Sequence, residues 1–206
     1  LKHFTVNKNK TSGNIVLAGG LFANVKVNQK VFEETGAKNI FIQPAMGDSG
    51  LALGGAQYIW NSINSVSQKI SYFDNSYLGN EYKNIEVEKL LKKNSNKFSF
   101  YKEENLEKKI AKYIHQGFIV GNFQGRSEWG PRALGNRSIL IRPSDKSVND
   151  TVNQRLNRSE FMPFAPSVID FRAKDYFINY QEDHIAAEYM TITYGVFKNK
   201  IPEIEA

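Results

Sequence analysis

A chain of 206 residues with 41% hydrophobic and 23% charged content is long enough for one or two domains with a sizeable core. It excludes collagen-like, wholly unstructured and membrane-spanning classes. The absence of cysteine removes disulfides, zinc-thiolate sites and a cysteine nucleophile, in keeping with a reducing, cytoplasmic compartment. The N-terminal LKHFTVNKNK lacks the apolar stretch of a signal peptide.

In chain order, Ile15-Val16-Leu17-Ala18 reads as a strand that ends in Gly19-Gly20. A helical stretch carrying Leu21, Phe22, Val25, Val31 and Phe32 follows and stops at Gly36. Ile40-Phe41-Ile42 is a second strand, broken by Pro44, and Gly47-Asp48-Ser49-Gly50 opens a helix of small residues through about Ile63. Two βα units in tandem predict an α/β layer. The polar, aromatic-rich stretch that follows predicts a domain boundary near residues 70–80. Beyond it the pattern predicts a helix over Ile85–Lys93, a strand over Lys97–Tyr101 and an amphipathic helix over Glu104–His115 ended by Gly117. A buried strand is expected over Phe118–Phe123, and further strands over Ser167–Phe171 and Tyr189–Val196.

The net charge of +6 misleads until the two cations are separated. Lysine is scattered as on a solvated surface, but six of the seven arginines lie between Arg126 and Arg158. Gln124 to Leu140 holds Arg126, Arg132 and Arg137 among Gly125, Gly130 and Gly135, and ends Asn136-Arg137-Ser138. Glycines let the main chain approach a ligand, and arginine forks grip oxyanions, so the segment suits a phosphorylated small molecule. The alternative is a surface loop whose arginines pair with Glu128, Asp145 and Glu160. A second cluster, Asn153 to Pro166, contains Arg155, Asn157 and Arg158; were it helical, Arg155 and Arg158 would share a face. Gly19-Gly20 with Asn24 is either a nucleotide contact or a plain tight turn. Asp48 suits a helix N-cap, since no His or carboxylate cluster adjoins it in sequence to make a metal site. The chain has no G-x-S-x-G elbow, Walker loop or HExxH motif, which argues against a serine hydrolase, a P-loop NTPase and a zincin.

FQGRSEWGPRALGNRSIL at 123–140 and NRSEFMPFAPSV at 157–168 resemble the O-carbamoyltransferases that modify hydroxyls of antibiotics, nodulation factors and surface sugars. LAGGLFANVKVN at 17–28 and IQPAMGDSGLALGGA at 42–56 resemble the same family in the same order. The resemblance implies an α/β fold in two parts. Residues 1–75 would be part of an actin/hexokinase-type, Kae1-like ATPase domain, and residues 76–206 a smaller YrdC-like domain that forms carbamoyl-adenylate from carbamoyl phosphate and ATP. It implies Arg126, Arg132, Arg137 and Ser138 as catalytic groups on the phosphates. It further implies Gly19, Gly20, Asn24, Glu128, Asn136, Arg155, Asn157 and Arg158 as binding groups, and Asp48 as ligand to a divalent metal, Fe or Mg. The acceptor hydroxyl is left unspecified, a homodimer is the assembly it allows, and no membrane partner is expected. The family's N-terminal half and a C-terminal His-Val-Asp-Gly stretch are expected to be missing. Activation would then survive and acceptor transfer would not. A basic RNA-binding module is the rival reading; confinement of arginine to one window disfavours it. A catalytically dead nucleotide-binding remnant is the third.

Overall fold

The computed structural model describes residues 13–64, 75–157, 164–182 and 184–205. It has a mixed α/β fold in two compact units. The first comprises residues up to Ser76, Trp129–Leu134 and Ser167–Lys200; the second comprises Tyr77–Glu128, Gly135–Pro166 and the stretch from Ile201.

The first unit is built on a βαβ unit. Strand β1 (Asn14–Leu17) pairs in parallel with β2 (Asn39–Ile42), and helix α1 (Val25–Thr35) connects them. The two apolar runs predicted as strands form them because Leu17, Ile40 and Ile42 are drawn into one cluster with Val31, Met46, Ala186 and Ile192. Helix α1 starts at Asn24, whose Oδ1 accepts from the main-chain N–H groups of Lys26 (3.1 Å) and Val27 (3.2 Å). It stops at Gly36, which takes the left-handed conformation (φ 62°) that a helix C-terminus commonly requires. Helix α2 (Ser49–Asn64) follows as the sequence predicts, yet none of its residues is buried.

The second unit begins with α3 (Asn84–Lys93) and α4 (Leu106–His115), both close to their predicted bounds. Strand β3 (Val120–Phe123) pairs antiparallel with β4 (Arg137–Leu140), setting Phe123 opposite Arg137 and Asn122 opposite Ser138. Helix α5 (Ser147–Arg155) completes the regular part of the unit. In the first unit, short α6 (Ala173–Tyr176) runs into β5 (Phe177–Ile178), which pairs with β6 (Gly195–Val196); α7 (Ile185–Glu188) lies between them in sequence.

Three strand expectations need correction. Lys97–Tyr101 is not a strand: Lys97 N–H closes a turn onto Asn94 O (2.9 Å), and no neighbouring strand pairs with the segment. Ser167–Phe171 is irregular and enters a 3-10 turn at Asp170–Arg172. In Tyr189–Val196 only Gly195–Val196 pairs, because Met190 has φ 52° and Thr191 turns back to bond Ala186 O, so the alternation there does not mark an extended chain. The Phe118–Phe123 strand is also shorter and less buried than predicted, with Phe118 and Phe123 exposed.

No described helix is long and apolar enough to cross a membrane.

Candidate functional site

The arginine-rich segment is divided between the two units. Gly125, Arg126, Glu128, Asn136, Arg137 and Ser138 belong to the second, and Trp129–Leu134, with Arg132, to the first.

In the second unit the loop is fixed by its own main chain. The register of β3 and β4 lays the Arg137 guanidinium over the Phe123 ring, 3.8 Å from its centroid. Nη1 of Arg137 donates to the carbonyls of Gln124 (2.6 Å) and Asn136 (2.9 Å), and Nη2 to those of Gly125 (3.1 Å) and Asn80 (3.4 Å). Four of the five N–H groups an arginine owns are therefore spent on the protein itself. Glu128 faces inward: its Oε1 accepts from the main-chain N–H groups of Asn136 (2.8 Å) and Arg137 (3.1 Å). Asn136 Nδ2 donates to Arg126 O (2.8 Å), and Ser138 Oγ accepts from Gly135 N–H (2.8 Å). Asn122 adds a bond to Gly135 O (2.6 Å).

Arg126 differs from all of these. It is exposed, and among the described residues its one side-chain hydrogen bond is from Nε to Gly79 O (3.1 Å), which leaves both terminal nitrogens without a described partner on an anchored stem. Arg155 is exposed at the end of α5. The helix ends there, with Leu156 as its C-cap and Asn157 at φ 50°. Arg158 and Glu160 lie outside the described residues. Asp145 caps the start of α5 through Ser147 rather than pairing with an arginine: Ser147 N–H and Oγ–H both donate to its Oδ1, and these bonds hold its carboxyl below the usual range.

In the first unit three predicted pieces meet. Gly19 N–H donates to Met46 O (2.7 Å), joining the Gly19-Gly20 turn to the loop that carries Asp48. Gly130, at φ 116°, passes so close to Pro44 that a Cβ would stand 2.8 Å from its carbonyl oxygen, so no other residue fits without displacing main chain. Arg132 Nη2 then reaches Ala23 O (2.7 Å), and its Nε–H is buried with no partner among the described residues. Asn24, expected beside a nucleotide, has its side-chain oxygen committed to capping α1. Asp48 immediately precedes α2 and is exposed.

No group of three or more His, Cys, Asp or Glu side chains among the described residues is placed to hold a metal ion. Asp48 has no such cluster around it among the described residues.

A separate cleft of about 460 Å³ in the first unit is lined by Gln29, Phe32, Tyr180, Thr193 and Tyr194, and contains none of the predicted site residues. Burial, with a lesser contribution from Tyr180, raises the Tyr194 hydroxyl above its ordinary range and keeps it protonated. His184 Nδ1 lies 3.1 Å from that hydroxyl, and its ring packs edge-on to Phe32, which makes it part of the core packing.

Sequence reasoning missed Phe123 and Asn122, and it placed Gly130 against a ligand where the structure packs it against Pro44. The first two follow from the β3–β4 register, which the irregular loop between the strands conceals. Gly130 depends on a neighbour, Pro44, distant in sequence.

Comparison with known proteins gives two family matches: residues 2–57 match the carbamoyltransferase N-terminus and residues 111–206 the carbamoyltransferase C-terminus. An uncharacterized protein of Methanocaldococcus jannaschii is 39% identical over 197 residues, covering 93% of this chain and 36% of that protein. Nodulation protein NolNO of Sinorhizobium fredii is 34% identical over 78% of this chain and 24% of its own length. Nodulation protein NolO of Bradyrhizobium diazoefficiens is 33% identical over 79% of this chain and 30% of its own length. The chain spans roughly a quarter to a third of the length of these relatives.

Proposed function

The chain belongs to the carbamoyltransferase family, and from that premise we propose that its second unit binds carbamoyl phosphate and ATP and forms carbamoyl-adenylate, destined for a hydroxyl acceptor. On this reading the second unit is the YrdC-like part, and the first belongs to the actin/hexokinase-like part that carries the transfer step.

The observation that supports it is the contrast between Arg137 and Arg126. Phosphoryl and adenylyl transfer ask little covalent work of a protein and much prepositioned positive charge. Arg137, Glu128 and Asn136 make the loop rigid through bonds to its main chain. Arg126, tethered at Nε alone, offers two terminal nitrogens from that rigid frame to an oxyanion. These side chains fit a phosphate ligand, with Arg126 as the contact and Arg137 as the residue that positions it. Arg132 belongs with the Gly19-Gly20 turn and the Asp48 loop, and its Nε–H, which has no partner among the described residues, is a donor for the carbamoyl oxygen handled in the first unit. The described residues do not complete a metal site.

Supplying carbamoyl phosphate and ATP together to the purified chain tests the proposal. Phosphate and pyrophosphate should appear together, and Arg126→Ala should abolish both. A folded chain that binds neither compound at millimolar concentration would overturn it. Nucleotide binding with no release of either product would instead identify an inactive nucleotide-binding protein.

A further inference from the structure

Asn136, expected from the family resemblance to bind ligand, spends its carboxamide on the protein instead. Nδ2 donates to Arg126 O (2.8 Å), and Oδ1 accepts from Gln124 Nε2 (3.2 Å). The main-chain carbonyl of Asn136 accepts in turn from Gln124 N–H (3.1 Å). Gly125 lies against the same carboxamide, where a Cβ would stand 3.2 Å from Nδ2. One side chain thus spans the turn Gln124-Gly125-Arg126, bonded to the residue on each side of the glycine. The turn is pinned a second time by Gly79 and Asn80. Gly79 N–H donates to Ser127 O (2.9 Å), Ser127 N–H donates to Asn80 O (3.0 Å), and Gly79 O accepts from Arg126 Nε. Arg126 is therefore fixed at two points, its carbonyl by Asn136 and its guanidinium by Gly79. An arginine held before its anion arrives loses less side-chain freedom on binding than a free one does.

We infer that Asn136 is a positioning residue for Arg126: its carboxamide braces the 124–126 turn so that the Arg126 terminal nitrogens are presented to an oxyanion, and it does not touch the anion itself. The residue type follows from the task. The turn needs a donor toward Arg126 O and an acceptor toward Gln124 Nε2 on one short side chain. Asparagine supplies both, whereas an ionised aspartate has no donor. With the carboxamide gone, the Arg126 main chain is tied only through its neighbour Ser127, and the Nε bond to Gly79 is no longer held from both ends. The consequence for binding rests on the reading of Arg126 as the phosphate contact. The coupling between the Asn136 carboxamide and the Arg126 guanidinium is measurable with no ligand present.

Side-chain NMR of the full chain reads that coupling. The Arg126 Nε–H resonance, assigned by its loss in Arg126→Lys, should exchange slowly with water while Gly79 O accepts from it. Asn136→Ala, and Asn136→Asp, which keeps the acceptor and removes the donor, should each speed that exchange by about tenfold. The Arg137 Nη signals are the internal control for an intact loop, because the partners of those groups are main-chain carbonyls, and they should persist in both variants. Gln124→Ala, at an exposed position, frees one end of the carboxamide without threatening the fold and should speed exchange by about twofold. Calorimetry with carbamoyl phosphate supplies the second readout. Asn136→Asp should weaken binding by about tenfold in the parent chain and by less than about twofold in an Arg126→Lys chain, where the residue it acts through is already gone. Weakening by the same factor in both backgrounds would overturn the assignment, as would Arg126 Nε–H exchange that does not move in the folded variants. A parent chain that binds no carbamoyl phosphate would overturn the phosphate reading alone, and the exchange rates would still decide whether Asn136 holds Arg126.

Discussion

Arg137 donates to four main-chain oxygens and Arg126 to one, and substitutions at the two positions should therefore separate stability from binding. Arg137→Lys keeps the charge but loses the planar fork, leaving carbonyls of the loop without donors. It should lower the urea-unfolding free energy by about 1–3 kcal/mol and weaken carbamoyl phosphate binding as a secondary effect. Arg126→Ala should leave unfolding unchanged and remove binding. Equal loss of stability in both variants would refute the division of roles. The same logic applies to Asn28, fully buried in the first unit, whose Nδ2 donates to Phe22 O (2.8 Å) and Thr191 O (2.7 Å) and so ties α1 to residues far along the chain. Asn28→Ala strands two carbonyls and should cost about 1–3 kcal/mol in urea melts, whatever happens in the arginine loop.

Helix α1 owes its starting point to Asn24, and the element should respond to that residue alone. Asn24→Ala removes the acceptor for two N–H groups and should destabilise the first unit by about 1 kcal/mol, measurable by thermal melting, with Asn24→Asp or Asn24→Ser restoring most of it. If nucleotide contact were its role instead, the melt would not move and ATP affinity would. Helices were legible in the sequence because their information is local. The periodic apolar face of α4, the glycine after α1 and the acidic first turn of α3 act within a few residues. Strands need partners, and the same reading therefore placed β1 and β2 well but put strands at Lys97–Tyr101 and Ser167–Phe171, where none pairs. The site followed the same rule. The concentration of arginine between Arg126 and Arg158 was visible at once, whereas the tasks of Arg126, Arg132 and Arg137 depend on which carbonyls, many of them distant in sequence, the folded chain brings to each.

Over the whole molecule, burial is unequally shared. Leu17, Val31, Ile40, Ile42 and Met46 form a core in the first unit, joined by Ala186 and Ile192. Among the described residues of the second unit, Val152 is the only buried hydrophobic side chain, and Leu90, Leu106, Phe118 and Phe123 are largely exposed. The second unit is held more by polar bonds around its loop than by apolar burial, and local opening is least costly where few apolar side chains are packed. Native-state hydrogen exchange should accordingly find the slowest amides in β1, α1 and β2, and exchange in β3 and β4 faster by at least tenfold, equivalent to about 1.4 kcal/mol. Ligands that bind only the folded unit stabilise it by mass action. Carbamoyl phosphate and ATP should therefore slow exchange in β3, β4 and the Gln124–Glu128 stretch while leaving α1 unchanged, and Arg126→Ala should erase that response without altering the free-state pattern. Uniform protection across both units, or ligand protection confined to α1, would contradict the placement of the phosphate site on the second unit.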